Sequence, residues 1–158
     1  MTDGPAALLL ALALVLGACR AAPATPEPTP VCIPSATALD ETSGYREIEF
    51  PASQGTLWAL LFARDGVFRT GSRARILWKM TDGRGDIRLL AIHESGLSVA
   101  PVYGPISRAT RSQWAHAGQE WGSEFIFPIS GCWRILVARW LIETDLPVTG
   151  QIEIQVRR

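Results

Sequence analysis

From Phe125 to Val137 the sequence reads FIFPISGCWRILV. A short apolar run ends at Pro128, and a Ser-Gly pair follows it as a tight turn. In the second run, Trp133, Ile135 and Val137 recur at every second position, which is the period of a β-strand with one buried face. The stretch therefore predicts a strand, a corner and a second strand, and the second strand is the best core candidate in the chain.

The rest of the chain after residue 30 shows the same β pattern. Residues 73–80 and 150–156 alternate apolar and polar side chains, and residues 55–62 are nearly all apolar, as expected of a strand that is covered on both faces. Further candidate strands lie at residues 46–50, 86–92 and 97–103. No segment of helical length has a convincing apolar stripe. The sequence thus predicts a single all-β domain, an antiparallel β-sandwich of about seven to eight strands.

The first 30 residues have the composition of a leader and a linker. Residues 6–18 form an unbroken run of apolar and glycine residues, which is the length of a signal-peptide core and too short to span a bilayer. The run ends at Leu16-Gly17-Ala18-Cys19, which resembles the bacterial lipobox. We predict a lipoprotein signal peptide over residues 1–18, lipidation of Cys19, a Pro-rich stalk within residues 19–30, and a domain over residues 31–158.

Alternatives for the leader stay open. An ordinary signal peptide, or a frayed helix with a chance cysteine, has the same apolar run. Residues 1–5 contain no Lys or Arg, although a positive segment is expected at the start of a signal peptide. A misassigned start codon would account for this departure.

The chain has three cysteines. If Cys19 carries lipid, Cys32 and Cys132 remain as a pair, and export to an oxidising compartment favours a disulfide between them. By chain-entropy arguments, closing so long a loop contributes about 4–5 kcal/mol. Cys132 falls on the face of its strand opposite Trp133, so we expect the bridge to lie outside the main core, across the outer face or the edge of the sheet. The alternative is two unpaired thiols.

Four segments carry a resemblance to a known group of proteins: Cys32 with Pro34, Leu57–Leu61, Trp78-Lys79 and Phe127–Ile135. The last segment has the form F-P-x-x-G-C-W-x-[VI]. In this combination the chain resembles a group of uncharacterised bacterial lipoproteins with a small all-β domain. The resemblance implies an immunoglobulin-like β-sandwich and an extracytoplasmic location, and it implies no activity.

Composition and motifs give little support for nucleic-acid binding or catalysis. Fifteen basic and fifteen acidic residues leave no net charge, so no nucleic-acid partner is predicted. His93 and His116 lack the spacing of metal ligands, and the chain has no Gly-x-Ser-x-Gly elbow. We therefore predict no catalytic residue, no cofactor and no metal. The alternative is an extracytoplasmic hydrolase or metal-dependent enzyme that uses His93 or His116 with nearby carboxylates.

The tryptophans divide into two groups. Trp58, Trp78 and Trp133 lie in predicted strands and are core candidates, whereas Trp114 and Trp121 fit no predicted strand. We interpret residues 104–122 as a long loop, which in a compact domain is often functional. The alternative is that the loop folds its tryptophans onto the sandwich as a secondary core. The candidate ligand-binding residues are Tyr103, Arg108, Arg111, Trp114, His116, Glu120 and Trp121.

Together these features predict a binding module. We expect a monomer that is anchored in the cell membrane by an N-terminal lipid, faces the extracytoplasmic side and has no enzymatic activity. An aromatic pair with arginine and glutamate nearby suits a glycan or a peptide, so the expected partner is an envelope protein, a peptide or a glycan.

Overall fold

Two β-sheets pack face to face in the computed structural model, which describes residues 33–82, 85–108, 114–139 and 148–158. Within these residues there are eleven strands and no helix. The strands are β1 (Ala38–Leu39), β2 (Arg46–Pro51), β3 (Thr56–Leu61), β4 (Phe68–Arg69), β5 (Arg73–Met80), β6 (Ile87–His93), β7 (Ser98–Val99), β8 (Tyr103–Arg108), β9 (Gln119–Ile126), β10 (Gly131–Arg139) and β11 (Val148–Arg157).

Sheet A has the strand order β1-β2-β3-β5-β9-β8, and sheet B has the order β4-β11-β10-β6-β7. The predicted fold class, an all-β sandwich, is confirmed. Eight of the described strands have six or more residues, in agreement with the predicted number. One detail differs from the purely antiparallel expectation, because the two-residue strand β4 pairs with β11 in parallel.

The corner at residues 127–130 carries the chain from one sheet to the other. β9 belongs to sheet A and β10 to sheet B, so the predicted strand-corner-strand unit connects the two layers. Trp133 and Ile135 are fully buried, as the alternation predicts, and the Trp133 indole donates a hydrogen bond to the carbonyl oxygen of Ile129 at 3.2 Å. Gly131 has a φ of +135°, and a Cβ there would lie 2.3 Å from Nε2 of His93. Glycine is therefore required at the start of β10.

The core lies between the two sheets. Strands β5 and β10 contribute alternate residues to it, including Trp78 and Trp133, and β9 contributes Trp121. The prediction that Trp78 and Trp133 are core residues is confirmed. The interpretation of residues 104–122 as one loop is wrong at both ends, because β8 extends to Arg108 and β9 begins at Gln119. The sequence shows only a weak strand pattern for β8, because β8 is an exposed edge strand that contains Gly104 and Pro105.

A buried arginine closes one end of the sandwich. The Arg139 guanidinium donates hydrogen bonds to the carbonyl oxygens of Asp82 at 2.8 Å and Gly85 at 3.2 Å, and to the side chain of Gln119. It lies 4.6 Å from the ring centre of Trp121, within the range of a cation–π contact. Burial lowers the pKa of Arg139 from its usual value. No local sequence pattern points to this residue.

Several predictions concern residues outside the described ranges. The signal peptide, Cys19, the stalk, Cys32 and Arg111 all lie there, so what the sequence indicates about them remains a prediction. In the described part, no helix has the length and apolar character needed to cross a bilayer. The first described residues lie along β11. The backbone N–H of Ser35 donates to the carbonyl oxygen of Glu153 at 2.8 Å, and the backbone N–H of Ile33 donates to the Glu153 carboxylate at 3.3 Å.

Candidate binding surface on the outer face of sheet A

One half of the outer face of sheet A is covered by residues 114–118, which lead into β9 and which we call the covering segment. Trp58, Leu60 and Leu77 point away from the sandwich core and are buried beneath Trp114. We call these four residues the outer cluster. Strand β3 is therefore covered on both faces, because Leu57, Ala59 and Leu61 face the core. This confirms the prediction made from the continuous apolar run at residues 55–62.

The Glu47 carboxylate connects the covering segment to sheet A. Glu47 of β2 accepts hydrogen bonds from the Trp114 indole at 2.7 Å and from Nε2 of His116 at 2.9 Å. The His116 ring stacks on Trp58 with a centroid distance of 4.5 Å and an interplanar angle of 12°. His116 is thus engaged on one ring face and at one nitrogen, and its side chain is 27% exposed.

A row of charged residues crosses the sheet beside the outer cluster. In register, Lys79 of β5 lies opposite Glu120 of β9, which lies opposite Arg108 of β8. The Lys79 ammonium donates to the carbonyl oxygen of Trp114 at 2.8 Å and lies 3.7 Å from Glu120. Arg108 Nε lies 3.7 Å from the other Glu120 oxygen. Within the described residues, the Glu120 carboxylate is buried and accepts no hydrogen bond.

The second half of the outer face is open and forms a groove of about 210 Å³. Its lining includes Phe62, Leu77, Tyr103, Arg75 and Arg108. Gly122 also lines it and lies on β9, between β5 and β8. Gly122 has no side chain, and a Cβ there would meet nothing closer than the Arg108 Cδ atom at 3.9 Å. The groove exists because the middle strand, β9, has a glycine at this position. Tyr103 is 55% exposed, so an aromatic ring is available to a ligand.

A second charged group, drawn from two neighbouring rows, lies at the other end of the groove. The Glu124 carboxylate is paired with Arg73 Nη1 at 2.7 Å and with Arg75 Nε at 2.7 Å. The hydrogen bond from Arg73, together with that from Arg75, lowers the pKa of Glu124 from its usual value. Both arginine side chains are about two-thirds exposed, at 69% and 65%. One carboxylate is shared by two guanidinium groups, so this end of the groove has an excess positive charge.

The seven predicted site residues do not form one surface. Tyr103 and Arg108 line the groove, whereas Trp114, His116 and Glu120 belong to the covered half of the same face. Trp121 lies on the opposite face of sheet A, fully buried in the main core. A site centred on an exposed Trp114–Trp121 pair is therefore not present. The side chain of Trp121 on β9 points to the inner face of sheet A, whereas Trp114, which precedes β9, packs on the outer face. Arg111 lies outside the described residues.

The other histidine is built into the corner of the fold. His93 is buried in β6 of sheet B, where Nδ1 lies 2.8 Å from the Ser95 hydroxyl and Nε2 lies 3.2 Å from the carbonyl oxygen of Ser130. Its ring also packs against Trp133. The two histidines belong to different layers of the sandwich. Among the described residues, no group of three or more His, Cys, Asp or Glu side chains is arranged to hold a metal ion.

Of the residues that line the groove, only Tyr103 and Arg108 were predicted site residues, and those that sequence reasoning missed include Phe62, Arg75 and Gly122. The outward position of Arg75 was readable from the alternation in residues 73–80. Arg75, Gly122 and Arg108 line one groove because β5 pairs with β9 and β9 pairs with β8. No local sequence pattern specifies these pairings. A larger cleft of about 530 Å³ lies between β2 and strands β10 and β11, and none of the described residues that line it is charged. It is a weaker candidate, because its polar groups are neutral and these residues offer no charged side chain to orient a ligand.

No protein-family model matches the chain, and no curated protein matches it in sequence. Among solved structures, the chain is similar to the crystal structure of the PmoD soluble domain from Methylocystis sp. ATCC 49242 (Rockwell). The sequence identity is 12%, the TM-score is 0.43, and the similarity covers 68% of this chain and 96% of that chain. A similarity this low carries no argument about a ligand or an activity.

Proposed function

We propose that this chain is a lipid-tethered extracytoplasmic lipoprotein whose β-sandwich is a non-enzymatic binding module of the cell envelope. The observation that carries the proposal is the open half of the outer face of sheet A. There, exposed aromatic and apolar side chains lie between Arg75 at one end and Arg108 at the other, and β9 has a glycine that leaves room for a ligand. Aromatic residues and arginine are enriched at the centres of protein interfaces.

Both histidines support a binding role over the enzymatic alternative. In His93, Nδ1 has a partner in Ser95, in the turn after β6, and Nε2 has a partner in Ser130, in the corner that joins the sheets. In His116, stacking on Trp58 and the hydrogen bond to Glu47 hold the covering segment in place. A general base needs a nitrogen within reach of a substrate proton in an accessible cleft. Neither histidine is among the residues that line the groove.

The tether is proposed from the sequence of residues 1–30. An apolar run of signal-peptide length, the Leu-Gly-Ala-Cys junction and four prolines in the following segment support a lipid on Cys19 and a stalk behind it. Cys19→Ser should release the protein from the membrane fraction. Full membrane retention of the variant would refute the lipid anchor.

We also propose a disulfide between Cys32 and Cys132. Support comes from the position of Ile33, which hydrogen-bonds Glu153, while Glu153 lies opposite Arg134 on the same outer face of sheet B as Cys132. The chain directly after Cys32 is thus close to the strand that carries Cys132. Peptide mapping without reductant should recover the two cysteines in one linked product. A free thiol at either position in the mature protein would contradict the pairing.

Site-specific photo-crosslinking in the native envelope tests the binding surface. A photoreactive amino acid at Ile106, which is 47% exposed on the outer face of sheet A, should give a discrete adduct. The matched control is Leu90, which is 39% exposed in β6 of sheet B. Digestion of the adduct by protease or by muramidase tells a protein partner from a glycan. Equal adducts at both positions, or none at Ile106, would refute this surface as the site.

A further inference from the structure

The groove has a repeating pattern of charge and apolar surface along the strand direction. In register, the first row contains Arg75, Glu124 and Tyr103, and the last row contains Lys79, Glu120 and Arg108. Arg73, which lies opposite Ile126 in the next outward row, also pairs with the Glu124 carboxylate. Each end of the groove thus has two cations around one carboxylate and one excess positive charge. The row between them contains Leu77, Gly122 and Ile106 and has no charge.

The spacing of these rows matches an extended polypeptide. Glu124 and Glu120 are four residues apart on β9, so the two charged rows are separated by about 13 Å, and the apolar row lies halfway. In an extended peptide, the side chains of residues i, i+2 and i+4 project from one face at the same intervals. A peptide lying over the groove thus presents three side chains to three rows.

The arginines have donors to offer such a ligand. In the described part of the chain, Arg108 forms no hydrogen bond, and its contact with Glu120 is an ion pair at 3.7 Å. Its side chain is 52% exposed. Arg75 uses only Nε for Glu124, at 2.7 Å, which leaves both terminal nitrogens of its guanidinium. Guanidinium groups with unused donors are well suited to carboxylates, which they bind through two parallel hydrogen bonds.

The volume of the groove points to a single side chain. At about 210 Å³ it is smaller than the pockets that hold whole drug-sized ligands, which are typically about 300–1,000 Å³. Phe62 and Tyr103 flank it, with Leu77 at its base. An apolar or aromatic side chain fits this lining, with a carboxylate on each side of it.

We propose that the groove binds an extended segment of a partner protein with the pattern acidic-x-apolar-x-acidic. The apolar side chain lies over Gly122, and the two carboxylates pair with Arg108 and Arg75. This inference rests on the proposed binding function and specifies its ligand.

Titration of the full chain in detergent micelles tests the proposal. The probe is a terminally blocked nine-residue peptide with Glu-Ser-Phe-Ser-Glu at its centre, and its control has Gln in place of both Glu residues. The Glu peptide should shift the backbone amide resonance of Gly122. The Gln peptide should bind about tenfold more weakly or worse, because it loses two charge-assisted contacts. Equal binding of the two peptides would overturn the acidic requirement.

Three variants locate the peptide. Arg108→Gln should weaken binding of the Glu peptide about tenfold, whereas Arg88→Gln, which removes an exposed arginine on β6 of the other sheet, should leave it unchanged. Gly122→Val should abolish binding by filling the groove, and it should fold, since a Cβ at this position has space and β-branched residues favour strands. Binding that survives Gly122→Val or Arg108→Gln would overturn the assignment to this groove.

Two further outcomes separate this inference from the proposed function. If N-acetylphenylalanine binds as tightly as the peptide, the extended-peptide assignment is wrong and the groove takes a small carboxylate. If neither peptide binds while Ile106 still crosslinks in the envelope, the ligand class is wrong and the binding surface stands. If Ile106 gives no adduct and no peptide binds, both are wrong.

Discussion

Sheet A buries tryptophans on both of its faces, and it does so by different means. On the inner face, Trp78 and Trp121 lie in a continuous apolar core between two sheets. On the outer face, Trp58 and Trp114 lie in a small cluster that is held by one short segment, by the Glu47 carboxylate and by the buried Lys79. The inner face depends on apolar burial, whereas the outer face depends on polar contacts around a few apolar groups.

This difference has a consequence for local stability. Segments with few apolar contacts open at a lower free energy than the global core does. The outer cluster lies beside the open groove and shares Leu77 with it. We therefore expect the outer face of sheet A to be the more adaptable side of the sandwich.

The largest expected effect is a loss in the free energy of unfolding that differs between Trp121 and Trp114, the two tryptophans that the sequence placed in one loop. Trp121→Ala should lower the free energy of unfolding by about 3–5 kcal/mol, because it leaves a cavity between the sheets. Trp114→Ala should cost less, about 2 kcal/mol, because the covering segment can rearrange. Urea denaturation measures both values. Equal losses would show that the outer cluster belongs energetically to the core.

The next effect concerns the carboxylate that holds the covering segment. Glu47→Ala removes the acceptor for the Trp114 indole and for His116, so it should cost about 1–3 kcal/mol. Glu49→Ala is the control, since Glu49 is exposed on the same strand and its loss should change little. A loss from Glu47→Ala no larger than that of the control would mean that apolar contacts alone hold the segment.

A chemical label can follow opening of the outer cluster directly. Lys79 is the only lysine in the chain, and its ammonium is buried beneath Trp114. An amine-reactive ester should acylate native Lys79 slowly. Trp114→Ala should raise the rate about tenfold, since it makes local opening easier. Val137→Ala destabilises only the inner core, so an equal rise in that variant would indicate labelling through global unfolding.

The smallest expected effect is the pH dependence of stability that arises from Glu124, at the end of the groove that contains Arg73 and Arg75. The pKa of Glu124 is lowered, chiefly by the hydrogen bond from Arg73, so the folded state favours the ionised carboxylate. Its contribution to stability is present above the ordinary glutamate pKa and is lost as the pH falls through the lower folded value. The stability difference between the wild type and Glu124→Gln should therefore shrink in acid. A difference that is constant from neutral pH into acid would contradict the pairing.

Local patterns were sufficient for the strands with one buried face. Alternation predicted β5, β10 and β11 and the inward direction of Trp133, and the continuous apolar run at residues 55–62 predicted the double-sided burial of β3. These features depend on the period of two in an extended chain, which is visible within a few residues. The signal peptide, the lipid and the disulfide were also predicted from sequence, and they remain predictions.

The sequence by itself determined that this chain forms a β-sandwich and which residues of its regular strands face the core. Only the tertiary structure decided which strands are neighbours. It therefore decided that Trp114 and Trp121 lie on opposite faces of sheet A, and that Arg75, Gly122 and Arg108 share one groove. Strand order and register are set by contacts between residues far apart in sequence, where the free energy of packing the whole sandwich selects one arrangement, and no local period specifies that choice.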